Sequence, residues 1–205
     1  NSVIVVGICV TLTLTFASMA AYVFARLTNK TVSRAQAIVV ACMSIPIHVA
    51  FIPVFILSRK IGAYDSIWAL IPPYIAFDLP VSCFILTGFM KTIPSEMEEA
   101  AQIDGASLFQ TYYKIALPLS VPSLVTLGIY IGTHFWNEFS FAMILTNKPQ
   151  NRTLPLAPWD YKAEYTSNVT AIITVLALST LPMLIVFSIA QDKLVKGMVS
   201  GAVKG

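Results

Sequence analysis

The side chains best suited to chemistry in this sequence are four acidic residues within nine positions: Glu96, Glu98, Glu99 and Asp104. They lie in residues 95–122, the only long polar interruption of an otherwise apolar chain. The sequence contains no close constellation of nucleophile, base and oxyanion donor, so these carboxylates indicate binding rather than catalysis. We expect the segment to be a docking element for a soluble partner on the cytoplasmic side of a membrane.

Local signals in this segment predict two short helices separated by a glycine turn. Ser95 and Glu98 have the spacing of a capping box, in which the serine accepts a helix-start N–H and the glutamate reaches back to the serine N–H. Gly105 is expected to end that first helix at a positive φ, which glycine adopts without a side-chain clash.

The second short helix is expected to begin at another capping pair and to end at a proline. Ser107 and Gln110 repeat the capping spacing, and Pro118 lacks the N–H that a helix interior needs. The two helices would share a semi-apolar face made of Met97, Ala100, Ala101, Leu108, Tyr112 and Ile115.

Composition indicates that the rest of the chain lies in a membrane. Of the 205 residues, 57% are hydrophobic and 11% are charged, whereas soluble domains have roughly 45–50% apolar and about 25% charged residues. Five apolar stretches approach the ~20 residues that cross the hydrocarbon core as a helix, namely about 3–25, 35–58, 66–90, 119–137 and 169–190. We predict an all-α polytopic membrane protein with a transmembrane domain at 1–190, a cytoplasmic loop at 91–118 within it, and a cytoplasmic tail at 191–205.

Basic residues predict the orientation of these spans. If the acidic loop is cytoplasmic, eight Lys and Arg residues lie inside and five lie outside, which agrees with the positive-inside rule. The amino terminus of the chain is then outside and the carboxyl terminus inside. The net charge of +3 forms no basic stripe, so no nucleic-acid partner is expected.

Cysteine and histidine placement predicts neither a metal site nor a cofactor. Cys9, Cys42 and Cys83 lie inside predicted spans without metal-site spacing, so we expect them to be packing residues. His48 and His134 are each isolated on an apolar stretch.

The segment around the glycine turn resembles the EAA signature of permease subunits of binding-protein-dependent ABC importers. The matching residues are Glu99-Ala100-Ala101, Gly105 six positions after the glutamate, and Ile115-Ala116-Leu117-Pro118. The chain is similar to the carbohydrate-uptake branch, and in particular to the smaller permease subunit of maltose-type transporters. That similarity is carried by Ile103-Asp104-Gly105-Ala106, Trp136-Asn137-Glu138-Phe139 and the terminal Gly201-Ala202-Val203-Lys204-Gly205.

The resemblance implies a heterocomplex in a prokaryotic cell membrane. Its other parts would be a second permease subunit, two ABC ATPase subunits and an extracytoplasmic solute-binding protein, with a sugar as substrate. By this resemblance, the residues that contact the ATPase in the loop would be Glu99, Ala100, Ala101, Asp104, Gly105 and Pro118. The residues of the tail that contact the ATPase would be Gly201, Lys204 and Gly205. The chain has no GxxxxGK[ST] phosphate loop, so it is expected to be non-catalytic, with ATP hydrolysis supplied in trans. The family usually has six spans in this subunit, and we expect the first to be missing here.

Three polar positions are candidates for the translocation path. Asp78 lies in the third apolar stretch, where an acid costs ~2.5–3.5 kcal/mol at the bilayer centre and is a functional candidate by default. The alternative is a carboxylate that only satisfies backbone groups freed by Pro80 or lies in a shallow wet cavity. Asn137 and Glu138 follow Trp136, which is expected in an outer aromatic belt; the alternative for Glu138 is a solvated interfacial carboxylate.

Two other kinds of transporter compete with this interpretation. The first is an ABC permease for another solute class, such as polyamine or phosphate, which the terminal Gly-Ala-Val-Lys-Gly disfavours. The second is a secondary transporter, which would need inverted repeats and a coupling-ion site that the sequence does not display.

Overall fold

The computed structural model describes the backbone of residues 1–161 and 169–202, and the side-chain surroundings of 1–161 and 169–189. Every regular element in these ranges is helical, which confirms the all-α prediction. The α-helices are α1 (Ser2–Arg26), α2 (Lys30–Cys42), α3 (Phe51–Lys60), α4 (Ile71–Met90), α5 (Glu96–Ile103), α6 (Leu108–Thr111), α7 (Leu117–Leu119), α8 (Val121–Asn137), α9 (Ser140–Leu145) and α10 (Val169–Ala202). Short 3₁₀ helices cover Ile47–Ala50, Ile67–Ala69, Pro149–Asn151 and Leu154–Tyr161, and a π-helical turn covers Tyr112–Ala116.

The chain is a multi-pass membrane protein. Within the described residues, three helical segments are long and apolar enough to cross a bilayer: Ser2–Arg26, Ile67–Met90 and Val169–Ile189. Two further pairs are bent, Lys30–Cys42 with Ile47–Lys60 by 90° and Leu108–Leu119 with Val121–Asn137 by 72°, so up to five spans result if each pair is one span.

The break in the first bent pair has a local cause. Pro46 has extended backbone angles, φ −64° and ψ 130°, and precedes a 3₁₀ turn rather than continuing α2. Proline removes a helix hydrogen bond and disfavours helical geometry in the residue before it. The second apolar stretch predicted from the sequence is therefore two helical pieces rather than one.

Contacts divide the chain into two compact units. The first contains Asn1–Thr11, Pro46–Ala76 and Ile129–Gln191, and the second contains Leu12–Ile45, Phe77–Gly128 and Asp192–Gly205. The described core of the first unit includes Leu70, Tyr74, Ile131, Phe135, Phe141 and Leu145, and that of the second includes Ala17, Ala21, Leu86, Met90 and Ala116.

Small residues of α1 provide the packing surface of that helix in the second unit. Thr13, Ala17, Ser18 and Ala21 are all essentially fully buried. Small side chains at these spacings let helix backbones approach closely, as is common for helices in membranes.

The degree of burial of two predicted membrane residues, Trp136 and Cys42, was not anticipated from the sequence. Trp136, predicted in an aromatic belt at the outer interface, is buried against protein, and its indole N–H donates to the backbone oxygen of Ser179 at 3.2 Å. Cys42 is exposed at the end of α2, whereas Cys9 and Cys83 are buried as expected. Among the described residues, no group of three or more potential metal ligands comes together.

Candidate functional site

The glycine turn predicted between two short helices is present and is confirmed. α5 ends at Ile103, and Gly105 has a φ of +87°. The N–H of Gly105 donates to the oxygen of Gln102, and the N–H of Ala106 donates to the oxygen of Ala101 at 2.9 Å. These bonds satisfy carbonyls at the end of α5 and set the direction in which the next helix starts.

The capping box of the second short helix is confirmed as well. The Ser107 hydroxyl accepts the N–H of Gln110 at 3.3 Å, and the Gln110 side-chain oxygen accepts the N–H of Ser107 at 2.8 Å. α6 therefore begins at Leu108 with two helix-start donors satisfied.

The capping box predicted for the first helix is wrong. Ser95 has helical backbone angles, φ −69° and ψ −25°, and its side chain makes no capping hydrogen bond. Its backbone oxygen instead accepts the N–H groups of Glu98 and Glu99. Glu98 cannot reach back to Ser95, because its carboxylate is held by residues of α1.

The contact between Glu98 and α1 is one that sequence reasoning missed. Glu98 is 3% exposed, although it lies in the acidic segment. Its Oε1 accepts from Arg26 Nε at 2.9 Å and from Arg26 Nη2 at 2.7 Å, and its Oε2 accepts from the Tyr22 hydroxyl at 3.1 Å. The only sequence signal was a basic residue ending an apolar stretch, which does not identify a partner 72 positions away.

The second short helix does not end at Pro118 as predicted. A π-helical turn follows α6, and Pro118 lies in α7 directly after that turn, within a continuous helical path. The helical path continues to Leu119, and the N–H of Ser120 closes it on the oxygen of Ala116. The bend toward α8 thus comes two residues later than the sequence indicated.

Most predicted docking residues lie on the surface of this segment. Glu99, Ala100, Asp104, Gly105 and Pro118 are exposed, and Ala101 is half-buried. Three large apolar side chains outside the predicted semi-apolar face are also exposed, namely Ile103 at 86%, Phe109 at 68% and Tyr113.

Tyr112 differs from its predicted place on that face, because it is buried. Its hydroxyl lies 2.9 Å from the Ser18 hydroxyl, and its ring contacts the ring of Tyr22. The segment therefore has a buried side that attaches to α1 and an exposed, mixed acidic and apolar side. An exposed surface of that composition is suited to protein binding.

Asp78 and Asn137, two candidates for the translocation path, have different surroundings. Asp78 lies in α4 at 4% exposure, and Pro80 is buried in the same helix. Asn137 is exposed at the end of α8, and its amide donates to the backbone oxygen of Thr133 at 2.8 Å. In this structure Asp78 is therefore enclosed by protein, whereas Asn137 is open to its surroundings.

Glu138, the third candidate, has a well-defined structural role. Its Oε1 accepts the N–H of Phe141 at 2.8 Å, and its Oε2 accepts the N–H of Ala142 at 3.2 Å and the hydroxyl of Tyr74 at 2.6 Å. The carboxylate therefore satisfies donors in the first turn of α9. It is half-buried, not a freely solvated interfacial group.

A second carboxylate, Asp65, joins two loops of the first unit. Asp65 has a φ of +60°, and its Oδ1 accepts the N–H groups of Asn147 at 2.8 Å and Lys148 at 2.9 Å. The Asn151 amide contacts the same carboxylate. These hydrogen bonds, that of Asn147 first, hold the pKa of the Asp65 carboxyl below its ordinary value because they favour the charged form.

The residues predicted as tail contacts are largely outside the described part of the chain. Lys204 and Gly205 lie outside it altogether, and Gly201 is described only as part of the helical backbone of α10. Their role remains a prediction.

The apolar helices and the helix–glycine–helix segment define an all-α, multi-pass membrane protein. The chain belongs to the family described as the binding-protein-dependent transport system inner membrane component, whose model matches residues 4–200. The family resemblance drawn from the sequence is confirmed.

Relatives of this chain are transport permeases by name. The chain is 54% identical over its whole length to the putative ABC transporter permease protein ORF2 of Caldicellulosiruptor sp. (strain Rt8B.4), covering 74% of that protein. It is 32% identical over its whole length to the sulfoquinovosyl glycerol transport system permease protein SmoH of Agrobacterium fabrum, covering 72%. It is 30% identical over its whole length to the melibiose/raffinose/stachyose import permease protein MelC of Bacillus subtilis, covering 75%.

A solved structure has a similar fold. The MetNI methionine ABC transporter in an inward-facing conformation matches with a TM-score of 0.68 at 18% identity, over 94% of this chain and 92% of that one. At this identity the match concerns the fold alone.

Proposed function

We propose that this protein is the membrane-spanning permease subunit of an ATP-driven ABC importer for sugars or oligosaccharides. The observation that carries the proposal is the exposed side of the helix–glycine–helix segment. There Glu99, Asp104 and the large apolar side chains Ile103 and Phe109 are presented outward on a segment whose other side is attached to α1. The segment is the coupling loop of this proposal.

The coupling loop is proposed to bind an ABC ATPase subunit. Glu99, Ala100, Ala101, Asp104, Gly105 and Pro118 are the proposed contacts. Ile103 and Phe109 add exposed apolar area to such a surface, and burial of apolar area is the main favourable term in protein association. ATP hydrolysis takes place on the partner, and this chain supplies no catalytic residue.

Besides two ABC ATPase subunits, two further proteins complete the proposed complex. A second permease subunit forms the translocation path with this chain, and an extracytoplasmic solute-binding protein delivers the sugar. The amino terminus is on the outer face and the carboxyl terminus on the cytoplasmic face. The named substrates of relatives, sulfoquinovosyl glycerol and the oligosaccharides melibiose, raffinose and stachyose, support a carbohydrate substrate.

Charge reversal at the coupling loop tests the proposal. Glu99→Lys in the complete complex is expected to reduce both the co-purified ATPase and ATP-dependent sugar uptake, because it reverses the charge on the exposed side of α5. Gln150→Lys, at another exposed position in the loop proposed to lie outside, adds a positive charge away from the coupling loop and serves as the control.

The measurement is the ATPase yield per permease, together with uptake of labelled oligosaccharide and of labelled methionine in proteoliposomes. The proposal is abandoned if the wild-type complex binds no ATPase or imports neither sugar nor methionine. Import of methionine but not sugar would overturn the substrate class alone.

A further inference from the structure

We propose that Arg26 and Glu98 form the joint through which movement of the coupling loop reaches α1. Both would then be positioning residues for ATP coupling and would not themselves contact the ATPase. This inference rests on the proposed function, since it assumes that an ATPase binds the exposed side of the same loop.

The geometry of the joint connects three segments through one guanidinium group. Arg26 belongs to the last turn of α1 and donates two N–H groups to Glu98 Oε1 on α5. Its Nη2 also donates to the backbone oxygen of Ile93, in the linker that follows α4, at 3.0 Å. The end of α1, the linker after α4 and the coupling loop are therefore held together at one point.

The joint is suited to transmit a displacement because both charged groups depend on each other. The side chains of Arg26 and Glu98 are 15% and 4% exposed, and a buried charge that loses its partner is strongly destabilised. The planar guanidinium also restricts the orientation of the carboxylate that it binds, which the compact ammonium group of a lysine would not do. A movement of α5 that kept the ion pair intact would have to move the end of α1 with it.

Two further contacts join α1 to the coupling loop. Ser18, two turns earlier on α1, lies within hydrogen-bond distance of the Tyr112 hydroxyl in the π-helical turn. The hydroxyl of Tyr22, which lies between Ser18 and Arg26 on α1, donates to Glu98. α1 thus contacts the coupling loop on both sides of the glycine turn.

Burial separates Glu98 from the other acids of the segment. Glu96, Glu99 and Asp104 are exposed, whereas Glu98 is enclosed. The exposed acids are available to a partner, and Glu98 is not. A variant at the joint should therefore separate docking from transmission, which variants of the exposed residues cannot do.

The test uses the complete transporter, with ATPase subunits and binding protein, reconstituted in proteoliposomes. Arg26→Met combined with Glu98→Leu removes the ion pair and leaves no lone buried charge. Proteins often tolerate the replacement of a buried ion pair by apolar side chains of similar volume. We expect near-normal protein level and ATPase yield, but a fall in sugar imported per ATP hydrolysed of about two- to thirty-fold, the range of coupling changes in switching proteins.

A conservative variant gives a second, independent readout. Arg26→Lys keeps the charge but replaces the fork that holds both Glu98 and the Ile93 oxygen, so coupling should fall between the wild type and the double variant. The control is Arg152→Met with Asp160→Leu, which removes an Arg–Asp ion pair outside the coupling loop and should leave the import-to-hydrolysis ratio unchanged.

The outcomes distinguish the inference from the function on which it rests. A wild-type ratio of import to hydrolysis in either joint variant that reaches the membrane overturns the inference and leaves the proposed function intact. Loss of ATPase binding in Arg26→Lys also overturns it, because the joint would then serve docking. A wild-type complex without ATP-driven sugar uptake overturns the proposed function instead.

Discussion

Tyr74 and Glu138 are joined by a hydrogen bond of 2.6 Å across 64 positions of the chain. Tyr74 lies in the first turn of α4, where its ring stacks on that of Phe135, and Glu138 also accepts two N–H groups at the start of α9. One carboxylate therefore fixes the beginning of α9 and orients a buried tyrosine.

Removing either partner should destabilise the protein, and the two losses should not add. Glu138→Ala removes a helix-start acceptor and is expected to cost about 0.5–2 kcal/mol, and Tyr74→Phe should cost about 0.5–1.5 kcal/mol. Because both changes delete the same hydrogen bond, the double variant should lose less than the sum. Thermal unfolding of the four proteins in detergent measures this cycle, and strict additivity would contradict the shared bond. Tyr130→Phe, at an exposed tyrosine, is the control.

Gly105→Val should leave the protein in the membrane at near-normal level but abolish uptake and binding-protein-stimulated ATP hydrolysis. No neighbouring atom lies within 4 Å of the added Cβ, so the penalty comes from the φ of +87° alone. It amounts to roughly 1–2 kcal/mol, and more for a β-branched residue. Gly105→Asn should retain more activity because asparagine adopts positive φ more readily.

Gly62→Val is the matched control for the glycine turn. Gly62 also has a positive φ, +72°, and open space around it, but it lies between α3 and α4. It should carry a similar strain without uncoupling ATP hydrolysis from uptake. Full stimulation in Gly105→Val, or equal uncoupling in Gly62→Val, would remove the assignment of the coupling loop.

Asp65→Asn should flatten the dependence of stability on pH in the acid range. The native pKa of Asp65 is lowered, so its stabilising contribution is present above the unfolded-state pKa, about 3.9, and is lost as pH falls through the native pKa. Asparagine tolerates the φ of +60°, so the variant adds no backbone strain.

The melting temperature measured from about pH 3 to 7 should differ most between wild type and Asp65→Asn near neutral pH and least in acid. A difference that stays constant over this range would show that the charged carboxylate is not what joins the two loops.

Single cysteines should report the orientation of the loops. In a background lacking Cys9, Cys42 and Cys83, a cysteine at the exposed Ser107 should react in intact cells only with a membrane-permeant thiol reagent. A cysteine at the exposed Gln150 should react with permeant and impermeant reagents alike. The opposite pattern would reverse the orientation.

The sequence by itself determined the all-α membrane class, the family and the glycine turn. These follow from local properties: the length of an apolar stretch, a motif at fixed spacing, and the freedom of glycine at positive φ. The capping pair Ser107 and Gln110 was predictable for the same reason, since its two partners lie within one helical turn.

Only the tertiary structure decided what the polar side chains do. Ser95 and Glu98 have the same spacing as Ser107 and Gln110, but Glu98 bonds to Arg26 instead, since the strong charged hydrogen bonds of a guanidinium outweigh one capping bond. Trp136 likewise turns inward to a backbone oxygen on α10. Such partners lie far apart in the chain and meet only when helices pack. Because a buried polar group must find a partner wherever the packing supplies one, spacing along the chain cannot show which partner it will be.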